Sequence, residues 1–158
     1  MKNKNEIAIF LAARTGSKRL PNKHFLEINP KLKVIDLCIL RLKKTKLVNK
    51  IFLCTTKEKN DLKFKKVCTL HNINLFRGSK NNVLKRFIDC AKENNIKTIV
   101  RITADCPIID PKLIDECIEL HYKKNSDYTT NTLKFTFPDG LDVEVVNLKV
   151  LLKSQKDL

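Results

Sequence analysis

Four cationic side chains follow the first apolar segment of the chain within ten residues: Arg14, Lys18, Arg19 and Lys23. Gly16 and Ser17 lie among them, and small residues directly after a strand allow backbone N–H groups to converge on an anion. Arginine can grip a phosphate with two donors, and lysine adds a point charge. The segment therefore predicts a polyphosphate-binding loop. The alternative is a solvated basic loop, because lysine and arginine are common in this chain.

A carboxylate, Asp105, follows another apolar segment at 98–103. An aspartate in such a position suits a hard cation such as Mg²⁺ that bridges phosphate oxygens. The alternative is a loop aspartate that accepts hydrogen bonds from its own backbone ahead of Pro107. The adjacent Cys106 is interpreted as a packing residue rather than a nucleophile, since no histidine lies near it in the sequence.

Two further polar segments could contact a ligand. In RGSKNN, Arg77 and Gly78 could contact a base, ribose or phosphate, and the alternative is a turn in which Ser79 caps the next helix. The segment FPDGLDVEV contains a turn signal, PDG, and its acids alternate along a predicted strand. These acids are Asp139, Asp142 and Glu144. They could bind sugar hydroxyls or a cation, or they could lie on a solvated edge strand.

Apolar runs alternate with helical patterns along the chain. The predicted strands are 7–12, 50–56, 73–78, 98–103, 127–131 and 141–147, and the predicted helices are 34–44, 61–71, 81–93 and 110–124. Asp110 and Pro111 mark the start of the last helix, as N-cap and first-turn residue. Alternating strands and helices predict a three-layer, Rossmann-like α/β fold with a mostly parallel sheet and helices on both faces. Ligands of such sheets bind at the carboxyl ends of the strands, which predicts functional residues at 13–24, 54–60, 77–82 and 103–110.

The formal net charge of +15 raises the question of nucleic-acid binding. Of the 32 basic residues, however, 26 are lysines, whereas nucleic-acid surfaces are richer in arginine and exposed aromatic residues. An AT-rich coding bias favours lysine, asparagine and isoleucine alike. We therefore expect no nucleic-acid partner.

The six cysteines form no C-x-x-C pair and match no zinc spacing, and five of them lie among apolar neighbours. They are interpreted as small hydrophobic residues in a reducing compartment. The sequence contains neither a recognisable signal peptide nor a run long enough to span a membrane. The expectation is a cytoplasmic protein with a single domain over 1–158 and no membrane contact.

Four segments occur in this order along the chain: LAARTGSKRLPNK, FRGSKNNVLKRF, RITADCPIIDP and NTLKFTFPDGLDVEV. Together they resemble the cytidylyltransferases of the CMP-Kdo synthetase and acylneuraminate cytidylyltransferase type, nearest the spore-coat polysaccharide branch. The resemblance implies a nucleotide-diphospho-sugar transferase fold with CTP and a sugar acid as substrates and Mg²⁺ as cofactor. It also implies the reaction, in which a sugar hydroxyl attacks the α-phosphorus of CTP and pyrophosphate leaves, for surface polysaccharide biosynthesis.

The resemblance also implies roles for individual residues. Arg14, Lys23 and Asp105 would be catalytic, and Asp105 would also be the metal ligand. The nucleotide-binding residues would be Ala12, Ala13, Arg14, Thr15, Gly16, Ser17, Lys18, Lys23, Arg77, Gly78, Ser79, Asn82, Thr103 and Ala104. The sugar acid would contact Asn131, Asp139, Asp142 and Glu144. Asn82 stands where the family usually has an acidic residue.

Members of the family continue well past the position of Leu158, and their later segment supplies a second aspartate on the metal side. The resemblance therefore predicts a domain that is truncated at its C-terminus. Two alternatives stay open: a non-catalytic nucleotide-binding homologue, and a nucleotidyltransferase that uses another base or a sugar phosphate. A homodimer is a further expectation.

Overall fold

The computed structural model describes residues 6–17, 19–134 and 136–156. Strands and helices alternate in it, as the sequence predicts. The strands are β1 (Ile7–Ala12), β2 (Glu27–Asn29), β3 (Leu32–Lys33), β4 (Ile51–Thr56), β5 (Asn74–Gly78), β6 (Thr98–Thr103), β7 (Tyr128–Thr130) and β8 (Glu144–Asn147). The α-helices are α1 (Val34–Leu42), α2 (Lys63–His71), α3 (Val83–Glu93), α4 (Pro111–Lys123) and α5 (Leu148–Lys156). Short 3₁₀ helices lie at Lys23–Phe25 and Lys59–Leu62.

The main sheet has six strands among the described residues, in the order β5-β4-β1-β6-β8-β7. The first four of these are parallel, β8 is antiparallel to β6, and β7 is antiparallel to β8. Ala12 pairs with Cys54 on one side and Thr103 on the other, so the parallel strands end at one common edge. The loops that follow β1, β4, β5 and β6 therefore converge there, which confirms the predicted α/β architecture.

Helices cover both faces of the sheet, as predicted. On β1, Ile9 and Leu11 pack toward α1, α2 and α4, whereas Ala8 and Phe10 pack toward α3 and α5. Successive side chains of a strand point to opposite faces, so a strand buried on both faces is apolar at every position. This explains why β1 is a continuous apolar run that anchors the loop after it.

The structure corrects two details of the predicted strands. The strand predicted at 141–147 begins only at Glu144, so Asp139 and Asp142 lie in the preceding turn and share no strand face with it. This strand, β8, lies between β6 and β7 and is not at the edge of the sheet. The antiparallel hairpin of β2 and β3 and the helix α5 have no counterpart in the sequence prediction. The hairpin strands are two and three residues long and mostly exposed, too short for a periodic pattern.

Helix starts follow the predicted chemistry with one exception. The Asp110 side chain accepts a hydrogen bond from the Lys112 N–H and caps α4, as predicted. Helix α3 is capped by Asn82, which accepts from the Lys85 N–H at 2.7 Å, and not by Ser79.

Five cysteines are buried, Cys106 is half-buried, and all six are unpaired thiols. No helix in the described part of the chain is long and apolar enough to cross a membrane.

Candidate functional site

The loop after β1 presents its cations at the common edge of the parallel strands. Arg14 and Arg19 are exposed, and Lys18 lies outside the described residues. A Cβ added to Gly16 would meet no atom within 4 Å, so this residue faces open space. The Ser17 hydroxyl accepts a hydrogen bond from the Leu20 N–H at 3.4 Å. The loop is thus open on its outer side and available to a ligand.

A buried carboxylate, Asp61, holds the inner side of this loop. Its Oδ1 accepts from the Thr15 N–H at 2.8 Å and from the Thr15 hydroxyl at 2.7 Å. Its Oδ2 accepts from the N–H and the hydroxyl of Thr56, at the end of β4. Asp61 therefore ties the loop after β1 to the end of the neighbouring strand.

Asp61 is only 2% exposed, so its ionisation state depends on these contacts. Burial by itself raises the pKa of this carboxyl, but the hydrogen bonds from Thr56 and Thr15 outweigh burial, and the net pKa is lowered. Asp61 is absent from the predicted site residues, because it is the first residue of the predicted helix 61–71. Its position five residues after Thr56, just beyond the end of a buried strand, is the signal that could have identified it.

Lys23 belongs to the short 3₁₀ helix that closes the loop after β1. Asn22 precedes it at φ 56°, in the left-handed region that asparagine tolerates, and this reverses the chain. The next two residues, His24 and Phe25, pack against the buried ring of Phe64 in α2, with centroid distances of 5.8 and 5.1 Å. Burial lowers the pKa of His24. The aromatic packing fixes the backbone from which Lys23 projects.

Lys23 and Asp105 form an ion pair between the loop after β1 and the loop after β6. Their side chains are 26% and 31% exposed, so the pair is accessible to a ligand. Burial raises the pKa of Asp105, but the hydrogen bond and charge of Lys23 outweigh it, and the net pKa is lowered. The structure thus brings together a cation and a carboxylate that are 82 positions apart in the sequence.

No three His, Cys, Asp or Glu side chains within 6–17, 19–134 and 136–156 cluster closely enough to hold a metal ion. Asp105 is a single carboxylate with one oxygen already paired to Lys23. Mg²⁺ commonly takes one or two carboxylates and completes its shell with phosphate oxygens and water. Asp105 fits that pattern.

The segment after β5 is held by its own side chains. The Arg77 guanidinium donates to the carbonyls of Thr56, Lys57 and Glu58, at 3.2, 2.7 and 3.1 Å. The Ser79 hydroxyl accepts from the Asn82 N–H at 3.2 Å. Arg77, Ser79 and Asn82 therefore shape the turn beside the loop after β4.

The remaining residues predicted to bind the nucleotide line the strand ends through their backbone. The Ala13 N–H donates to the Cys54 carbonyl at 3.3 Å, and the Ala104 N–H donates to the Ala12 carbonyl at 3.1 Å. These bonds extend the parallel ladder by one residue beyond the strands. The Thr103 hydroxyl lies 2.9 Å from the Cys106 sulfur, which gives the thiol a local partner.

The residues predicted to contact the sugar lie around β8. Asn131 donates to the Leu141 carbonyl and accepts from the Val143 N–H, both at 2.9 Å. Glu144 forms a 2.8 Å ion pair with Arg101 of β6. Asp139 and Asp142 are exposed in the turn, where Gly140 has φ 92°. Asn131 and Glu144 are thus engaged within the protein, whereas the two aspartates face solvent.

The chain is similar in sequence to proteins of known families. A family model described as Cytidylyltransferase matches residues 8–157. An uncharacterized protein of Methanocaldococcus jannaschii is 38% identical over 149 residues, which cover 93% of this chain and 59% of that protein. The spore coat polysaccharide biosynthesis protein SpsF of Bacillus subtilis is 30% identical over 152 residues, 94% of this chain and 62% of that protein. The chain thus spans about six-tenths of the length of these relatives.

Solved structures agree with this similarity. A cytidylyltransferase from Leptospira borgpetersenii superposes with a TM-score of 0.91 at 34% identity, over 96% of this chain and 64% of that one. A CMP:2-keto-3-deoxy-manno-octonic acid synthetase complexed with CTP gives a TM-score of 0.73 at 13% identity, over 96% and 78%. The second likeness shows the fold alone. Because the family model matches nearly the whole chain, the chain belongs to the cytidylyltransferase family.

Proposed function

We propose that the protein transfers CMP from CTP to a sugar acid, with release of pyrophosphate, in the biosynthesis of a surface polysaccharide. The observation that carries the proposal is the contact between Lys23 and Asp105 beside the cationic loop after β1. A triphosphate with its magnesium ion needs both signs of charge at one place, since phosphate oxygens pair with cations and the metal pairs with a carboxylate.

Charge neutralisation is the main catalytic task in this reaction. Attack on the α-phosphorus places negative charge on the departing pyrophosphate, and preorganised cations stabilise that charge as it develops. Arg14 and Arg19, exposed in the loop after β1, are available for this role. Because Asp61 fixes the Thr15 backbone, the loop needs little rearrangement when the nucleotide binds.

Lys23 and Asp105 neutralise each other until the nucleotide arrives. The proposal is that Lys23 then turns its ammonium group to phosphate oxygens while Asp105 keeps a carboxylate oxygen for Mg²⁺. The metal, when bound, supplies a Lewis acid that withdraws charge from the phosphate oxygens. The depressed pKa of Asp105 keeps this carboxylate ionised at neutral pH.

Two similar proteins support the choice of a sugar acid as substrate and of polysaccharide biosynthesis as the role. The name of SpsF refers to spore coat polysaccharide biosynthesis, and a fold neighbour is a synthetase of an activated sugar acid complexed with CTP. Asn131, Asp139, Asp142 and Glu144 are proposed to face the sugar. The exposed pair, Asp139 and Asp142, is the part of this set with side chains directed to solvent.

The test is pyrophosphate release by this chain with CTP, Mg²⁺ and a panel of sugar acids. We expect release with at least one sugar acid, and a loss of about 100-fold or more in Lys23→Ala and Asp105→Ala, as for other groups that neutralise transition-state charge. Lys80→Ala is the matched control, because Lys80 pairs with Glu58 at the surface. ATP, GTP and UTP in place of CTP test for another base, and sugar phosphates in place of sugar acids test the other acceptor class. Absence of both release and CTP binding would refute the proposal.

A further inference from the structure

Arg86 of α3 is the largest fully buried side chain in the described part of the protein, at 2% exposure. Its Nε–H donates to the Ser79 carbonyl at 3.0 Å. Its Nη2 is buried and has no hydrogen-bond partner. An arginine so placed is unusual, because buried polar groups of this kind are almost always paired.

The charge of Arg86 also lacks a partner. None of the ion pairs formed among the described residues includes Arg86. Removing a guanidinium from water without a carboxylate beside it is costly, and burial lowers the pKa of this group accordingly. Asp61 acts on Arg86 as an opposite charge, but it forms no ion pair with Arg86 and already accepts hydrogen bonds from Thr15 and Thr56.

The fold makes room for this arginine next to the candidate site. A Cβ on Gly78 would lie 2.8 Å from Cγ of Arg86 and 2.9 Å from the Phe76 ring. The first contact is with the stem of the arginine and not with its flexible end, so a side chain at position 78 would push Arg86 out of place. Gly78, at the end of β5, is thus what allows Arg86 to reach the turn at Ser79.

A second cation lies on the same side of the molecule. Arg14, in the loop after β1, acts on Arg86 as a like charge, which further lowers the pKa of Arg86. Arg14 follows the end of β1, and Arg86 contacts Ser79 directly after the end of β5, so both guanidinium groups belong to the edge at which the parallel strands end. A buried charge is weakly screened, so an anion bound at this edge would gain from Arg86 as well as from Arg14.

We propose that Arg86 is a buried positioning residue for the phosphate chain of the bound nucleotide. It holds the turn after β5 through the Ser79 carbonyl, and its charge, which forms no ion pair, attracts phosphates from behind the loop without touching them. The inference rests on the proposed function only for the identity of the ligand as a nucleotide. A free polyphosphate and a nucleoside triphosphate carry the same phosphate chain, and that chain is the group that Arg86 would attract.

The experiment compares three probes: inorganic tripolyphosphate, CTP and cytidine. Their affinities are measured by calorimetry and NMR titration, without Mg²⁺ or sugar, for the wild-type chain and for three variants. The variants are Arg86→Gln, which removes the charge, Arg86→Lys, which keeps it, and Lys92→Gln, which removes an exposed charge from the same helix. Circular dichroism checks that each variant is folded.

We expect Arg86→Gln to bind tripolyphosphate and CTP about tenfold more weakly, which is about 1.4 kcal/mol, with cytidine affinity unchanged. Arg86→Lys should stay within about threefold of the wild type for all probes, and Lys92→Gln within about twofold, because an exposed charge is well screened. If the role of Arg86 were purely structural, Arg86→Gln would lower the affinity for all three probes alike. That result would overturn the inference.

Further outcomes separate this inference from the proposed function. Wild-type affinity for tripolyphosphate without affinity for CTP would refute the proposed function and leave Arg86 as a polyphosphate residue. If the wild-type chain binds neither tripolyphosphate nor CTP, the inference about Arg86 and the proposed function are both refuted. If Arg86→Gln does not fold, Arg86→Lys decides: a tenfold loss for tripolyphosphate in this variant contradicts a role that depends on charge.

Discussion

The two ends of the candidate site are held in different ways. At the β1 end, defined by Thr15, Lys23, Asp61 and Asp105, a buried carboxylate and an ion pair connect loops that follow three different strands. At the β8 end, defined by Asn131, Asp139, Asp142 and Glu144, a neutral amide holds one turn, a partly exposed ion pair joins Glu144 to Arg101, and two acids face solvent. The β1 end is thus held by a buried charge, whereas the turn at the β8 end is held by the hydrogen bonds of a neutral side chain.

This difference indicates that one part of the site is preorganised and the other is not. Charged groups buried among donors resist displacement, because any movement leaves a charge or several donors unpaired. An exposed aspartate loses nothing comparable when it rotates. The β1 end is therefore shaped by contacts within the protein. The two exposed aspartates at the β8 end, Asp139 and Asp142, are held less firmly.

The largest effect on this comparison is expected from Asp61→Ala. The change leaves two donors of Thr15 and two of Thr56 without their acceptor. We expect the free energy of unfolding to fall by about 3 kcal/mol, measured by urea denaturation. Asp89→Ala is the control, because Asp89 forms a surface pair with Lys85 and should cost about 0.5 kcal/mol or less. Equal losses in both variants would mean that the β1 end is not fixed by charge.

A smaller effect is expected from Asn131→Ala at the β8 end. The change frees the carbonyl of Leu141, a half-buried residue, and the N–H of Val143, a fully buried one. We expect a loss of about 1 kcal/mol and faster hydrogen exchange at Val143, with exchange at Thr15 unchanged. A loss as large as that of Asp61→Ala would contradict the distinction between the two ends.

Acid should break the contact of Asp61 with Thr15 at the β1 end and leave the contact of Asn131 with Val143 at the β8 end. The pKa of Asp61 is lowered in the folded protein, so its ionised form contributes stability above the ordinary carboxyl pKa. That contribution is lost as the pH falls below about 4 and approaches the folded pKa. In an NMR titration, the Thr15 amide should report this loss, because its acceptor is protonated, and the Val143 amide should not, because its acceptor is an amide. A Val143 amide that titrates with Thr15 would show that the ends are coupled.

The smallest effect is expected from Asp142→Asn. This side chain is exposed in the turn before β8, so the free energy of unfolding should change by about 0.5 kcal/mol or less. Under the proposed function, the same variant should change the Michaelis constant for the sugar more than that for CTP. An equal change in both constants would place Asp142 outside the sugar-binding end.

The sequence predictions succeeded where a local pattern carries the signal. The apolar run of β1, the amphipathic stripe of α3 and the Asp110 cap of α4 each depend on neighbours within a few residues. The prediction that polar segments after the strands meet at one edge also holds, because parallel strands leave no other arrangement. The strand predicted at 141–147 is correct only from Glu144 onward, since its alternating pattern begins three residues before the first residue that pairs.

Sequence patterns are sufficient to predict the alternation of strands and helices, the family resemblance, and the cationic character of the loop after β1. Periodicity, composition and motif order can be recognised without knowledge of the fold. The contacts of Asp61 with Thr15 and of Lys23 with Asp105, and the burial of Arg86 without an ion-pair partner, arise only when the chain is folded. Those contacts join residues 46 and 82 positions apart, or depend on burial, and burial of a charged group follows from packing that no local pattern encodes.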